Sequence, residues 1–356
     1  MNNDQGPTLT VGVPNYNHAH YIKEALGAII NQSYKPLELL IIDDGSTDNS
    51  VEVIEEIIKN VPYARLIKNE KNMGILYTYN KLVSLAKGDY YVGASADDKV
   101  LPGFFEKSMT MLKKYPQAGM CSTLSYLMDE FGKNLGLSSV IGIASTKPIY
   151  ISPGKARKML KKNGLWVAGN TPIFRIDVLR ELGGLRPELH CFADAFVAET
   201  NVPLKYGACY IPEPLASFRS TGGEYLQYSM ICKQDPEIYK ELIDNVIEIT
   251  ETEFKGLYPE GFWALWRKKN LFFLNYYQVS MAQRKLSEAL TISHEPQTPV
   301  ERILYTGFHV VMRIEKFFAM LYLFLYLRYL PIQVVKRNIM AFFRKRILRL
   351  KGINIE

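Results

Sequence analysis

Cysteine is scarce and scattered. Cys121, Cys191, Cys209 and Cys232 are the only four in 356 residues, and none belongs to a C-x-x-C pair. That spacing excludes a disulfide-stapled secreted scaffold and a thiolate zinc site, and it fits a reducing cytoplasm. No basic segment followed by an apolar stretch opens the sequence, because a strand-like run begins as early as Thr8; the expectation is a chain that is not secreted. A glycine-rich phosphate loop is missing as well. Pro14-Asn15-Tyr16-Asn17 stands after the first strand-like run instead, which counts against a nucleotidyltransferase. There is no internal repeat and no low-complexity segment.

Charge of one sign is nearly absent from most of the chain. The formal net charge is +7, yet residues 331–356 alone hold Lys336, Arg337, Arg344, Lys345, Arg346, Arg349 and Lys351 against Glu356. The rest is close to neutral, so binding of nucleic acid by the main body is disfavoured. Long hydrophobic runs are lacking too. Phe317–Leu327 is uncharged for eleven residues before Arg328 interrupts it, and as a helix it would reach about 16 Å, roughly half a bilayer core. A full span would bury Arg328 or the Arg313, Glu315 and Lys316 cluster at high cost.

What is present points to an α/β protein. Hydrophobic residues make up 47% of the chain, enough for a large core. Strand-like runs at Leu9–Val13, Leu37–Ile42, Ala64–Lys68, Tyr90–Ala94 and Gly119–Thr123 alternate with amphipathic stretches at His20–Asn31, Asp48–Lys59, Ile75–Lys87 and Gly103–Lys114. This is the pattern of βαβ units around a parallel sheet, with Thr47 or Asp48 as the N-cap of the second helix. Residues 148–229 read as less regular, rich in Gly and Pro, with a helix over Asp194–Tyr206. Helical patterns follow at Pro236–Phe254 and Phe262–Leu290. The expected organisation is a catalytic domain over residues 1–230, with halves 1–125 and 126–230, then a helical extension over 231–296 and apolar, basic helices over 297–356.

Chemistry concentrates in four segments. Val13-Pro14-Asn15-Tyr16-Asn17 ends the first strand, where open α/β sheets place ligands. Ile42-Asp43-Asp44-Gly45-Ser46-Thr47-Asp48 carries an acidic pair able to accept hydrogen bonds from a nucleobase or ribose; helix capping accounts for Thr47 and Asp48 but leaves the pair without a structural task. In Gly93-Ala94-Ser95-Ala96-Asp97-Asp98, adjacent carboxylates repel, and a divalent cation shared with a diphosphate removes that repulsion; a solvated turn is the plainer alternative. The fourth is Cys191-Phe192-Ala193-Asp194-Ala195-Phe196 with the later Gly207 to Arg219 run. His18 and His20 read as helix-start residues.

Taken in order, with Asn72-x-Gly74, Asn80 and Ala86-Lys87-Gly88-Asp89-Tyr90 between them, these segments resemble glycosyltransferase family 2. The resemblance implies a GT-A fold, Rossmann-like, and an inverting transfer from a nucleoside-diphosphate sugar, most often UDP-linked, with Mg²⁺ or Mn²⁺ as the cofactor. It implies donor contacts from Pro14, Asn15, Tyr16, Asp44, Asn72, Asp97 and Arg219, with Asp98 as the metal ligand. It also makes Asp194 the catalytic base on the acceptor hydroxyl; a helix cap is the alternative for Asp194, and Glu199 is a rival base. The sequence departs from the family pattern at Ser95, where the metal motif has its first acid, and at Ala193 before Asp194. A sugar-binding scaffold on a degenerate GT-A fold is the competing class.

The tail extends the reading. Basic residues interleaved with Ile339, Met340, Phe342, Phe343, Ile347 and Leu348 suit an in-plane or re-entrant anchor on anionic lipid, at the cytoplasmic face of the cell membrane. A packed helix pair is the alternative. With such an anchor, the expected acceptor is a membrane-bound, lipid-linked glycan of surface polysaccharide or glycoprotein glycan synthesis, and the expected activity is hexosyl or N-acetylhexosaminyl transfer.

Overall fold

The computed structural model describes residues 6–138, 144–163, 166–186, 189, 199–220, 236–264, 266–267 and 270–271. Asp194 and the tail from 272 onward therefore lie outside the described residues.

The first half follows the expected alternation. Strand β1 (Leu9–Asn15), helix α1 (Ala19–Ile30), β2 (Glu38–Asp43), α2 (Ser50–Ile58), β3 (Ala64–Lys68), α3 (Ile75–Leu85), β4 (Tyr90–Gly93), the short β5 (Lys99–Val100), α4 (Phe104–Lys114) and β6 (Met120–Met128) run in order. Strands β1 and β2 are buried almost without interruption, as parallel strands covered on both faces must be. Helix α1 buries Ile22, Ala25, Leu26 and Ile29, a stripe at helical spacing. Ile22, Leu26 and Ile29 join Leu9, Val11, Val13, Leu39 and Ile41 in one core cluster.

The second half is more regular than its composition suggests. It supplies β7 (Asn134–Leu137), β8 (Ile149–Ile151), α5 (Pro153–Asn163), β9 (Ile173–Arg175), α6 (Ile176–Glu181), α7 (Glu199–Tyr206) and the twelve-residue β10 (Ala208–Arg219). Strand β10 runs parallel to β6, and its register shifts around Pro214. Pro212 and Pro214 disguise this strand in the sequence, since proline cannot donate to a ladder and survives in sheets at bulges and edges.

The sheet order is β3-β2-β1-β4-β9-β6-β10-β5, with β7 on β6 and β8 on β10. Strand β1 pairs in parallel with β2 on one side and β4 on the other. The chain thus leaves β1 in one direction and returns to its opposite flank, making a topological switch point between β1 and β4. Gly12 and Gly93 sit side by side across this pair. A Cβ on Gly12 would meet the Tyr91 hydroxyl at 2.4 Å, and one on Gly93 would meet Tyr79 at 2.4 Å. The two tyrosine rings pack edge to face, 5.6 Å apart, in the space the glycines leave.

The chain forms two compact units: residues 1–161, 165–228 and 248–259 in the first, and 162–164, 229–247 and 260–356 in the second. In the first unit the Tyr258 hydroxyl donates to Asn201 Oδ1 at 2.5 Å. In the second, Arg267 donates twice to Asp244, at 2.7 and 3.1 Å. No helix among the described residues is long and apolar enough to cross a membrane.

Candidate active site

Because β1, β2 and β4 are parallel neighbours, the turns that follow them share one edge of the sheet. Open α/β sheets bind ligands at that edge, at the switch point. The sequence segments 13–17, 42–48 and 93–98 are those turns.

The turn after β1 is braced by asparagines. Asn15 is buried and donates from Nδ2 to Asp43 at 2.8 Å and to Ser46 Oγ at 3.3 Å, while its own Oδ1 has no hydrogen-bond partner. Asn17 adopts φ +55°, a left-handed conformation that asparagine tolerates better than most residues. Its Oδ1 accepts from the backbone N–H of Thr47 at 2.8 Å and of Asp48 at 3.3 Å. Pro14 and Tyr16 are half-buried at this edge.

Both acids after β2 have structural tasks, which corrects the sequence expectation. Asp43 accepts from Asn15 and from the Ser46 N–H and hydroxyl, at 3.0 and 2.6 Å. Asp44 accepts from Asn69 Nδ2 at 2.7 Å, from the Met73 N–H at 3.0 Å and from the Gly74 N–H at 2.9 Å, so it holds the loop that leads into α3. Exposed Asn72 caps the same Gly74 N–H at 2.8 Å. Gly45 is needed here for two reasons: its φ is +72°, and a Cβ would lie 2.6 Å from the Lys71 backbone. Capping also differs from expectation. Helix α2 begins at Ser50, and Asp48 accepts from the Ser50 N–H at 3.0 Å and from the Ala19 N–H of α1 at 3.0 Å.

The turn after β4 is built differently. Asp97 is half-buried. Asp98 is only 8% exposed; its Oδ1 accepts the Arg219 backbone N–H at 2.8 Å, and its Oδ2 is buried without a partner. The Asn170 side chain also lies against the Asp98 carboxyl, although its Nδ2 completes no hydrogen bond of normal geometry. Both residues line a cavity of about 10 Å³ with Ala25, Ile29 and Ser95, close to the size of one water site. Burial, and then the neighbouring Asp97 charge, push the Asp98 carboxyl up to about 8.

Two of the expected site residues are engaged within the protein. Asp98, expected as the metal ligand, is buried with Oδ1 held by the Arg219 N–H, and the more open carboxylate of the pair is that of Asp97. Arg219 does not reach for a ligand. Its side chain is 2% exposed, and it donates from Nε to the Asp97 carbonyl at 2.7 Å, from one terminal nitrogen to the carbonyls of Asp129 and Glu130 at 3.2 and 2.9 Å, and from the other to Glu24 at 2.7 Å. The guanidinium also stacks 4.5 Å above the Tyr21 ring. Glu24, Tyr21 and Asn170 carry no motif signal, and the sequence reading passes them over.

The described residues contain no cluster of three or more His, Cys, Asp or Glu side chains able to enclose an ion. Asp97 with the exposed Ser95 hydroxyl nearby in sequence fits a different arrangement, in which one protein carboxylate meets a cation held mainly by substrate phosphates. Glu199 is buried in the first turn of α7, beside Gly169.

A mixed α/β sheet with acidic turns gathered at its switch point has the architecture of a nucleotide-sugar-dependent glycosyltransferase fold. Residues 10–182 match the model of Glycosyl transferase family 2. It is 29% identical over 219 residues to an uncharacterized glycosyltransferase of Haemophilus influenzae, covering 61% of this chain and 67% of the relative. An uncharacterized glycosyltransferase of Escherichia coli, 38% identical, and a putative glycosyltransferase of Bacillus subtilis, 31% identical, are matched over 29% and 36% of this chain and only 30% and 47% of their own length. Among solved structures, the mannosyltransferase PcManGT from Pyrobaculum calidifontis in complex with GDP-Man and Mn²⁺ superposes with a TM-score of 0.54 at 19% identity, covering 87% of this chain and 81% of that one. S. aureus TarS in complex with UDP-GlcNAc gives 0.52 at 15% identity, covering 67% and 66%. These structural likenesses carry the fold.

Proposed function

We propose that the chain transfers a sugar, with inversion, from a nucleoside-diphosphate sugar to a hydroxyl of a membrane-bound, lipid-linked glycan. The observation that supports this most is the convergence of the turns after β1, β2 and β4 on the β1/β4 switch point. Pro14 and Tyr16 line the nucleoside side of that edge. Asp44 shapes it by holding the 69–74 loop, and it keeps limited accepting capacity for a base or ribose. Asp97 faces the diphosphate, where a divalent cation would offset the charge of the leaving group. Asp194, by its place in the acceptor-region motif, takes the proton from the attacking hydroxyl; single displacement needs one such base and forms no covalent intermediate. UDP is the expected nucleotide.

The deciding experiment is metal-dependent turnover of a panel of UDP-, GDP- and dTDP-sugars by the intact chain, by Asp97→Ala and by Asp194→Asn. One donor turned over by the intact chain and by neither variant supports the proposal. No turnover and no donor binding would leave a sugar-binding scaffold. The membrane reading rests on the basic, apolar tail and predicts flotation of the full chain with phosphatidylglycerol vesicles but not with phosphatidylcholine vesicles; equal behaviour with both would remove it.

A further inference from the structure

Asp97, Asp98 and Lys99 are three consecutive residues, and each is held by the same two side chains or their backbone. Arg219 takes the Asp97 carbonyl with Nε at 2.7 Å and the Asp98 carboxylate with its own N–H at 2.8 Å. Glu24 takes the Lys99 ammonium at 2.9 Å with one oxygen and the Arg219 guanidinium at 2.7 Å with the other. The Arg219 side chain is in turn fixed from behind by the 129–130 carbonyls and by the face of Tyr21. Glu24 and Tyr21 both stand on α1, the helix that follows the β1 turn. The arrangement therefore ties the acidic turn after β4 to the helix that begins at the nucleoside side of the same edge.

We propose that Glu24 and Arg219 are positioning residues that set where the Asp97 carboxylate is presented, and so set the divalent-cation affinity of the nucleotide-loaded protein. The inference rests on the function proposed above. Glu24 is not a purely structural anchor: 42% of its side chain is exposed and its Lys99 partner is likewise solvated, and exposed pairs contribute little, while its second partner, Arg219, is buried at 2% exposure. Its carboxyl is nonetheless held below the usual range, chiefly by the Lys99 hydrogen bond, so the anion persists at neutral pH. A carboxylate that fixes two cations on either side of an acidic turn has the geometry of the outer groups that orient metal ligands, whose loss typically weakens metal binding about 10- to 100-fold.

The test is an electron paramagnetic resonance titration of Mn²⁺ with the full chain in the presence of UDP, with GDP and dTDP run in parallel. Glu24→Gln is expected to raise the Mn²⁺ dissociation constant about tenfold or more, with metal-free nucleotide binding unchanged. Arg219→Lys is expected to shift it further, because lysine cannot reproduce the fork. Glu55→Gln, which breaks a comparably exposed pair with Lys68 elsewhere, should change nothing. Unchanged Mn²⁺ affinity in Glu24→Gln would overturn the inference and leave the function standing. So would a loss in Arg219→Lys that merely tracks a fall in thermal midpoint and in metal-free nucleotide binding. If the wild type binds Mn²⁺ with none of the three nucleotides, both fall together.

Discussion

The segments at the ends of β2 and β4 flank the same strand, and each carries two consecutive aspartates. In the sequence the pairs look interchangeable. In the structure the first pair is fully engaged: Asp43 and Asp44 together accept six hydrogen bonds from Asn15, Ser46, Asn69, Met73 and Gly74. The second pair is placed differently: Asp98 is buried and accepts the Arg219 N–H with Oδ1, and Asp97 is half-buried at the ligand edge. What separates them is the backbone that follows. Gly45 lets the 69–74 loop come close enough to bring two N–H groups onto Asp44, whereas Lys99 enters β5 at once and ties the second turn to β10. A carboxylate surrounded by converging N–H groups is a strut; one placed at the ligand edge can do chemistry.

That contrast can be broken by substitution. The largest effect is expected at Arg219→Met, which leaves three part-buried hydrogen bonds to carbonyls unmade and Glu24 without its buried partner; chemical denaturation should show a loss of about 3–5 kcal/mol. Asp44→Ala should cost about 3 kcal/mol in the same measurement, one increment of about 1 kcal/mol for each lost hydrogen bond. Asp97→Ala should leave stability within about 1 kcal/mol and abolish donor turnover. Equal stability losses at 44 and 97 would erase the distinction between strut and reactive group.

A smaller effect sharpens the second pair. The Asp98 carboxyl is raised to about 8 in the fold, above its value in the unfolded chain, so between about pH 4 and 8 the folded state holds the extra proton. Stability of the metal-free protein should therefore fall as pH rises through that window, by at most about 1.4 kcal/mol per unit from this group. Asp98→Asn should flatten the slope in thermal melts from pH 5 to 9 while keeping the bond to the Arg219 N–H. The smallest effect belongs to Glu55→Gln, within about 0.5 kcal/mol, as exposed pairs usually behave.

The first 125 residues were legible because parallel strands buried on both faces write continuous apolar runs, and their helices write a 3.6-residue period. The sequence reading of Ala64–Lys68 coincides with β3, and the others differ only at their ends. Strand β10 was illegible because its prolines argue locally against a strand, and only pairing with β6, β8 and β5 overrides them. In the site, adjacency in sequence revealed the acidic turns but not their tasks. Whether Asp44 meets a ligand or the Gly74 N–H depends on a loop thirty residues away, and Arg219 depends on a glutamate 195 positions upstream.

The glycine pair at the centre of the sheet bears on how this chain can vary. Gly12 and Gly93 leave room that Tyr91 and Tyr79 fill, so none of the four positions is free to drift alone. A larger residue at 12 would survive only in a chain that had already shrunk at 91, and the same holds for 93 with 79. Among descendants of this sequence these sites should change in couples, small trading with large, so that two pairs of residues, rather than four single ones, are the units of inheritance beneath the ligand edge.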